Sequence, residues 1–210
     1  MNAFELRITS ILASVYALRM LGMFLILPIF AIYATNLDSN PSSLQIGLAL
    51  GIYGLTQAIF QIPFGMSSDY FGRKKVIYFG LLLFMIGCLI AGSAKSIEGI
   101  ILGRGIQGAG AISAVLTALL ADVTREEQRT KAMAVIGASI GLTFALSLIL
   151  SPWLNDIIGV EGIFILMAIL SLTAFLLVYF FIKEPERRKE KTKTSADEFF
   201  KILKDINLFR

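Results

Sequence analysis

Six long apolar stretches, each nearly free of charged residues, constrain this chain more than any other feature of its sequence. A helix needs about 20 largely apolar residues to cross the hydrocarbon core of a bilayer. The stretches that meet this requirement are Ile8–Ala34, Leu44–Met66, Val76–Ala94, Ile97–Ala121, Ala132–Leu154 and Gly162–Ile182. Only 16% of the 210 residues are charged, too few polar groups to cover so apolar a chain in water. The sequence therefore predicts an all-α membrane protein with six transmembrane helices.

Short polar segments separate these stretches and carry helix-start signals. Residues 36–41, Asn-Leu-Asp-Ser-Asn-Pro, divide the first stretch from the second. Ser42 is followed by Gln45, and Thr124 by Glu127, both with the spacing of a capping box, in which the two residues bond each other's backbone N–H groups. We therefore expect helices to begin after Ser42 and after Thr124.

Lysine and arginine residues are distributed unevenly between the two sides of such a bundle. Sixteen of the 19 lie before the first stretch, in the second-to-third and fourth-to-fifth connections, or after the sixth stretch. The alternate connections contain only Lys95. Because basic residues accumulate on the cytoplasmic side of membrane proteins, we expect both termini to be cytoplasmic. A cleaved signal peptide is disfavoured, since the first stretch is too long and contains Arg19.

Several classes of site are disfavoured by composition. The chain has no histidine, which excludes a histidine proton relay or a His-ligated metal site within it, and its single Cys88 excludes an intrachain disulfide. The net charge of +4 is concentrated near the C-terminal end and suits a membrane surface better than nucleic acid. We expect the lipid bilayer as a partner, and no metal, cofactor or nucleic acid.

The chain divides into two parts by composition. Residues 1–183 contain the six apolar stretches, and residues 184–210 are polar and rich in lysine and arginine. Within the second part, residues 197–209 have helical periodicity and a basic polar face, which is typical of a helix lying at a membrane surface. We therefore predict a six-helix bundle followed by a basic cytoplasmic linker with an amphipathic interfacial helix.

The most specific local pattern lies between the second and third stretches, where residues 65–75 read Gly-Met-Ser-Ser-Asp-Tyr-Phe-Gly-Arg-Lys-Lys. Gly65 allows a neighbouring helix to approach, Gly72 permits a turn, and Asp69 can face the positive end of a helix while Arg73 balances it. The segment resembles the loop signature G-x-x-x-D-x-x-G-R-R/K-R/K of the major facilitator superfamily. The resemblance implies a gating loop; the alternative is a tight turn whose basic residues only set topology.

The fourth stretch carries a second element, residues 102–111, Leu-Gly-Arg-Gly-Ile-Gln-Gly-Ala-Gly-Ala. It resembles the superfamily motif L-x-x-R-x-x-Q-G-x-x-A, and the resemblance implies that Arg104 projects toward a central cavity with Gln107. The glycines also match a dinucleotide-binding fingerprint, but no strand precedes them, so a soluble nicotinamide-dependent enzyme is disfavoured. We expect these glycines to allow close helix packing, and we expect the chain not to be an enzyme.

Residues 18–24, Leu-Arg-Met-Leu-Gly-Met-Phe, together with residues 118–126 and 129–134, resemble YajR-like bacterial inner-membrane members of the superfamily, which are grouped with drug:proton antiporters. The resemblance implies half of the transporter fold, built as two inverted three-helix repeats around a cavity. It further implies that Asp122 pairs with Arg73 to latch an outward-facing state; the alternative is a solvated cap. The residues that we expect to line the cavity are Arg19, Phe24, Tyr53, Gln57, Gln61, Arg104 and Gln107.

Two departures from the antiporter pattern stand beside these matches. Residues 137–146 keep only the first two glycines, Gly137 and Gly141, of the antiporter motif G-x-x-x-G-P-x-x-G-G. No Asp or Glu lies within the body of any apolar stretch, so a carboxylate that carries protons would have to come from elsewhere. The antiporter assignment therefore stays open.

The function that we expect is secondary transport by alternating access, with proton-coupled export of small organic compounds. The alternative is a non-transporting anchor, sensor or partner-binding subunit that uses the half fold. One bundle cannot alternate access, so we expect the chain to pair with a C-terminal six-helix half or a second copy. In an isolated chain, the face carrying Arg19 and Arg104 would be open to lipid.

Overall fold

The computed structural model describes residues 1–37 and 41–182. The described part is helical and contains no strand. Its elements are α1 (Ala3–Ile26), α2 (Phe30–Thr35), α3 (Ser43–Phe71), α4 (Arg73–Ser93), α5 (Ile97–Ala109), α6 (Ser113–Val123) and α7 (Glu126–Phe181). The predicted linker and interfacial helix, residues 184–210, lie outside the described residues.

Element α7 contains the fifth and sixth predicted spans. An unbroken helix of its 56 residues would measure about 84 Å, against a hydrocarbon core of about 30 Å. The backbone leaves helical geometry at Gly159, where φ is 67° and ψ is 175°. Residues 126–158 and 160–181 are therefore two spans joined by a one-residue break, which brings the described spans to the six that the sequence predicts.

Two predicted spans are interrupted, which the sequence analysis missed. The first breaks between α1 and α2, where Pro28 has no N–H with which to continue the helix. The fourth breaks between α5 and α6 at residues 110–112. At that break a Cβ on Gly110 would collide with the carbonyl oxygen of Gly80, so this position admits only glycine.

The two predicted helix starts have different outcomes. At α3 the capping box is confirmed: Ser42 N–H donates to Gln45 Oε1 at 2.9 Å, and Gln45 N–H donates to Ser42 Oγ at 3.3 Å. At α7 the predicted cap is wrong, because the N-cap residue is Arg125. The Thr124 hydroxyl instead donates back to the carbonyl of Leu120, one turn earlier.

Apolar side chains pack into two clusters that succeed one another along the bundle. One contains Leu12 of α1 and Leu116 of α6, and the other contains Leu25 of α1 and Phe164 of α7. α1 packs mainly on α7, and α5 packs against both α3 and α4. The predicted close glycine packing occurs here, since a Cβ on Gly103 would lie 2.6 Å from the backbone nitrogen of Ala91. Along the chain, Arg19 lies between Tyr16 of the first cluster and Leu25 of the second, and Arg104 lies between Ile100 of the second and Ile112 of the first.

Candidate functional site

Arg19 of α1 donates hydrogen bonds to residues at the break in the fourth span. Its Nη2 donates to the carbonyl oxygen of Gly110 at 2.8 Å, and its Nη1 donates to Ser113 Oγ at 3.0 Å. One turn earlier, the Tyr16 hydroxyl donates to the carbonyl of Ser113 at 2.5 Å. The break releases backbone carbonyls from helical bonding, and in a membrane such groups need partners from within the protein. Arg19 therefore bonds the Gly110 carbonyl, which also accepts from the Ile112 backbone N–H, and Tyr16 bonds the first residue of α6.

Arg104 of α5 lies in a neighbouring polar group. Its Nε donates to the carbonyl oxygen of Ala49 at 3.3 Å, and its Nη1 donates to Gln107 Oε1 at 3.2 Å. Gln107 in turn donates to Cys88 Sγ at 3.2 Å. The structure thus brings together Arg104 and Gln107, which the motif paired, and adds Cys88 and Ala49 as partners.

An aromatic pair separates the two arginines. The guanidinium of Arg19 lies 5.7 Å from the centroid of the Phe84 ring, and that of Arg104 lies 4.9 Å from the centroid of the Tyr53 ring. The two rings meet edge to face with centroids 6.4 Å apart. Both cations therefore face aromatic π-systems, which attract positive charge.

Burial of the two arginines differs from the expectation for an isolated half. Arg19 is 2% exposed and Arg104 is 1% exposed, so the chain's own helices cover both guanidinium groups. The expectation that they would be open to lipid is wrong, because carbonyls, amides and rings of neighbouring helices surround them. Their assignment to a substrate cavity stays a prediction.

The remaining predicted lining residues do not form one cluster. Tyr53 is 2% exposed and packs in the apolar core beside Arg104. Gln57 is half-buried, and its Oε1 lies 3.5 Å from Arg19 Nη2. Phe24 is half-buried and packs edge to face on Phe144, 5.0 Å between ring centroids, and Gln61 is half-buried as well. Within this group of described residues, only Gln57 lies within hydrogen-bond distance of a buried arginine.

The segment predicted as a gating loop, residues 65–75, is helical except at Gly72, so it is a tight junction of α3 and α4 and not a loop. It forms an ionic cluster at one end of the bundle. Arg73 Nη2 lies 2.6 Å from Asp69 Oδ1, and Arg73 Nε lies 3.0 Å from Asp122 Oδ2. Arg73 Nη1 also donates to Ser68 Oγ at 2.5 Å. The structure thus places Asp122 beside Arg73, 49 residues away in the chain, as the resemblance implied. This one guanidinium joins the end of α3, the start of α4 and the end of α6.

The two glycines of the loop have different surroundings. Gly72 separates α3 from α4 with φ at 104° and ψ at 142°, a conformation that residues with a Cβ rarely adopt. A Cβ on Gly65 would meet the side chain of Ala114 at 3.8 Å, which is an ordinary van der Waals distance. The turn therefore requires Gly72, whereas no described helix approaches Gly65 closely enough to require glycine there.

A second ion pair at the same end was missed from the sequence. Glu5 of α1 is 2% exposed and accepts hydrogen bonds from Arg125 Nε at 2.9 Å, Arg125 Nη2 at 3.2 Å and the Asn2 backbone N–H at 2.8 Å. These bonds raise the pKa of the Arg125 guanidinium above its usual value, so Arg125 stays charged. The capping-box spacing of Asn2 and Glu5 was the available signal, since both of its bonds are present.

Comparison with known proteins places this geometry in a family. A sequence model described as Major Facilitator Superfamily matches residues 12–209. The chain belongs to the major facilitator superfamily. The "Inner membrane transport protein YajR" of Escherichia coli is 50% identical over 208 residues, covering 98% of this chain and 46% of that protein. The class B tetracycline resistance protein of Escherichia coli is 29% identical over 190 residues, covering 90% of this chain and 47% of that protein.

Solved structures agree on the superfamily fold. The inward-open structure of the xylose transporter XylE from Escherichia coli superposes with a TM-score of 0.73 at 16% identity, covering 96% of this chain and 55% of that one. The chain thus spans about half the length of the relatives that it matches. It is a multi-pass membrane protein with the architecture of half of a superfamily transporter.

Proposed function

We propose that this chain is the N-terminal half of a secondary transporter that exports small organic compounds in exchange for protons by alternating access. The observation that carries the proposal is the ionic cluster in which Arg73 pairs with both Asp69 and Asp122. The cluster lies at the end of the bundle and does not contact the buried arginines, which suits a conformational latch better than a substrate site. Ion pairs of this kind bias an equilibrium between two arrangements when only one arrangement forms them.

Export is favoured over uptake by the names of relatives. The class B tetracycline resistance protein and two multidrug resistance proteins of Bacillus subtilis share 29 to 31% identity with this chain. Their names describe resistance, which export of a toxic compound provides. Proton coupling would draw on a carboxylate outside the apolar spans of this half or in a second half.

A cytoplasmic position for both termini and a bacterial inner-membrane location belong to the same proposal. The structure groups the basic segments at one end: Glu5 contacts Arg125, Lys74 Nζ donates to the carbonyl of Tyr179 at 3.2 Å, and Arg73 contacts Asp122. Lys95 lies in a connection at the opposite end, next to α5. This arrangement supports the orientation that the distribution of lysine and arginine predicts.

The proposal is tested with everted membrane vesicles from cells that produce the chain alone, or together with a separate C-terminal six-helix half from a longer relative. Uptake of tetracycline or benzoate into the vesicles is followed while an imposed proton gradient is switched on or collapsed. We expect gradient-dependent uptake only when both halves are present, because one bundle cannot alternate access. Uptake by the chain alone would contradict the two-half requirement. No gradient-dependent uptake with both halves inserted in the membrane would favour the alternative role as an anchor or sensor.

A further inference from the structure

The bundle buries two positive charges without a negative one beside them. Among described residues, Glu5 is the one acidic side chain that is buried, and it is bound by Arg125 at the end of the bundle. The other described acids are all exposed: Asp69, Glu98, Asp122, Glu126, Glu127, Asp156 and Glu161. Arg19 and Arg104 therefore rely on neutral partners. A buried charge without a counter-charge is strongly unfavourable unless an anion compensates it.

The two arginines differ in how completely their donors are used. Arg104 has a backbone carbonyl on its Nε, an amide on its Nη1 and the Tyr53 ring against its guanidinium. Arg19 has acceptors on Nη1 and Nη2, but its buried Nε has no hydrogen-bond partner. An unmade hydrogen bond on a buried charged group costs the full desolvation of that group. Of the two buried arginines, Arg19 is therefore the one whose Nε has no partner and could donate to an additional acceptor.

The unused donor lies on the edge of the guanidinium that suits a carboxylate. In arginine, Nε–H and one Nη2–H point in the same direction, and a carboxylate can accept both in parallel. On Arg19, Nη2 has two acceptors. The Gly110 carbonyl lies at 2.8 Å, and Gln57 Oε1 lies at a longer 3.5 Å. Replacing the weak Gln57 contact would cost little and would free both donors for one ligand.

Gln57 also provides the access route. It is half-buried on α3, and Gly54 and Phe60, which lie one turn before and after it on the same face of the helix, are exposed. Rotation of the Gln57 side chain away from Arg19 would open the guanidinium edge toward that surface. At Arg104, the amide that accepts from Nη1 at 3.2 Å belongs to Gln107, which is fully buried and not at the surface.

We propose that Arg19 binds the carboxylate of an organic anion, which displaces the Gln57 amide and accepts hydrogen bonds from Nε and Nη2. The inference rests on the proposed transport function, because it names the substrate class as anionic. Ser113 and Gly110 hold the remaining donors of Arg19 and so orient the guanidinium for the ligand.

The first test measures binding directly on the 210-residue chain in uncharged detergent, in a buffer free of carboxylate and phosphate. The probes are benzoate, its neutral analogue benzamide, and chloride, each titrated while the thermal unfolding midpoint is followed by circular dichroism. Ligand that binds the folded state raises this midpoint saturably. We expect a saturable rise with benzoate, none with benzamide, and a weaker rise with chloride. Arg19→Gln should abolish the benzoate response, and the charge-matched control Lys95→Gln should keep it.

A second pair of variants keeps the test decisive if Arg19→Gln fails to fold. Gln57→Glu places a carboxylate beside Arg19 Nη2 within the chain itself. We expect it to raise the unfolding midpoint without ligand and to abolish the benzoate response. Gln57→Ala, at the same position, should retain the response and should not raise the midpoint.

Two ligand results would overturn the proposal: equal responses to benzoate and benzamide, or a stronger response to chloride than to benzoate. Two variant results would do the same: benzoate binding that survives Arg19→Gln, or a benzoate response that survives Gln57→Glu. Loss of binding when the chain is joined to a C-terminal half would assign the counter-charge to that half and would overturn it too. Binding is read without a gradient or flux. Flux without benzoate binding would therefore defeat only this inference, and binding without flux would defeat only the proposed function.

Discussion

At the scale of single residues, sequence reasoning identified the charged groups within the spans and, by resemblance, the partners Gln107 of Arg104 and Asp122 of Arg73, but not their backbone partners. Arg19 and Arg104 stand out because charges are rare in apolar spans. Their acceptors are backbone carbonyls of Gly110 and Ala49, which no residue pattern displays. The pairing of Arg73 with Asp122 came from resemblance to a family, since a separation of 49 residues gives no local signal. Glu5 was missed because its burial depends on the approach of Arg125 from a distant loop.

Gly72→Leu is predicted to reduce transport by a complete transporter while leaving membrane insertion intact. At φ of 104° a side chain strains the backbone by about 1–3 kcal/mol, and relief of that strain would shift the turn that positions Arg73. Asp69→Asn should act in the same direction by removing one ion-pair partner of Arg73. Initial efflux rates at matched protein levels measure the effect. Gly47→Ala is the control, because a Cβ there has no neighbour within 4 Å, and normal efflux by both loop variants would contradict a gating role.

Glu5→Gln is predicted to lower the thermal unfolding midpoint of the chain. The amide loses one acceptor oxygen and the negative charge, so Arg125 loses hydrogen bonds and its charge partner while Glu5's site stays buried. Glu126→Gln serves as the control, since Glu126 is exposed and its contact with Arg129 is 3.5 Å. An equal midpoint for both variants would show that the Glu5 pair does not stabilise the fold. The midpoint is measured by circular dichroism in detergent.

At the scale of the helices, number and order were predictable, and Pro28 was an available signal for the break in the first span, but the break in the fourth span had no such signal. Apolar length predicts a span, and all six predicted stretches lie on helical elements. Hydropathy does not register the break at residues 110–112, because Gly110, Ala111 and Ile112 are as apolar as their neighbours. The break depends on Gly80 of α4 approaching from outside the helix, and on Arg19 of α1 bonding the carbonyl that it releases.

Gly110→Ala is predicted to destabilise the bundle by about 1–3 kcal/mol, the usual cost of overpacking a filled core. The added Cβ would collide with the Gly80 carbonyl oxygen and push α4 away from the break. Gly141→Ala, on α7, is the matched control, because its Cβ would have no neighbour within 4 Å. Chemical or thermal unfolding in detergent gives the comparison. Equal stability of the two variants would mean that α4 can move at no cost.

At the scale of the whole molecule, the architecture could be predicted from composition, periodicity of the spans and resemblance. The burial of Arg19 and Arg104 by the chain's own helices could not. The sequence analysis expected a face open to lipid, and the bundle instead encloses both arginines with its own helices. Enclosure requires the combined approach of α1, α3, α4 and α5, and such packing emerges only when all the elements are placed together.

Both termini are predicted to be cytoplasmic, and reporter fusions measure this orientation. A fluorescent reporter that matures only in the cytoplasm, fused after Arg210 or before Met1, should be active in both fusions, because Met1 contacts Gln128 and Lys74 contacts Tyr179 at the end of the bundle that carries the basic connections. Alkaline phosphatase, which is active only outside the cytoplasm, should be inactive at the same positions. The reverse pattern would invert the orientation. A fusion at Lys95, in the opposite connection, should show the opposite activities.

The break at Gly159 also affects how much connecting chain is exposed to solvent at that end of the bundle. Since the fifth and sixth spans turn around a single non-helical residue, and α4 and α5 are joined by residues 94–96, the face opposite the basic residues has little connecting chain besides residues 36–42. A protease or an antibody arriving from that face therefore meets few extended peptide bonds. Among the described residues the connections at the basic end are just as short, Gly72 and residues 124–125, so this part of the bundle offers few extended peptide bonds on either face.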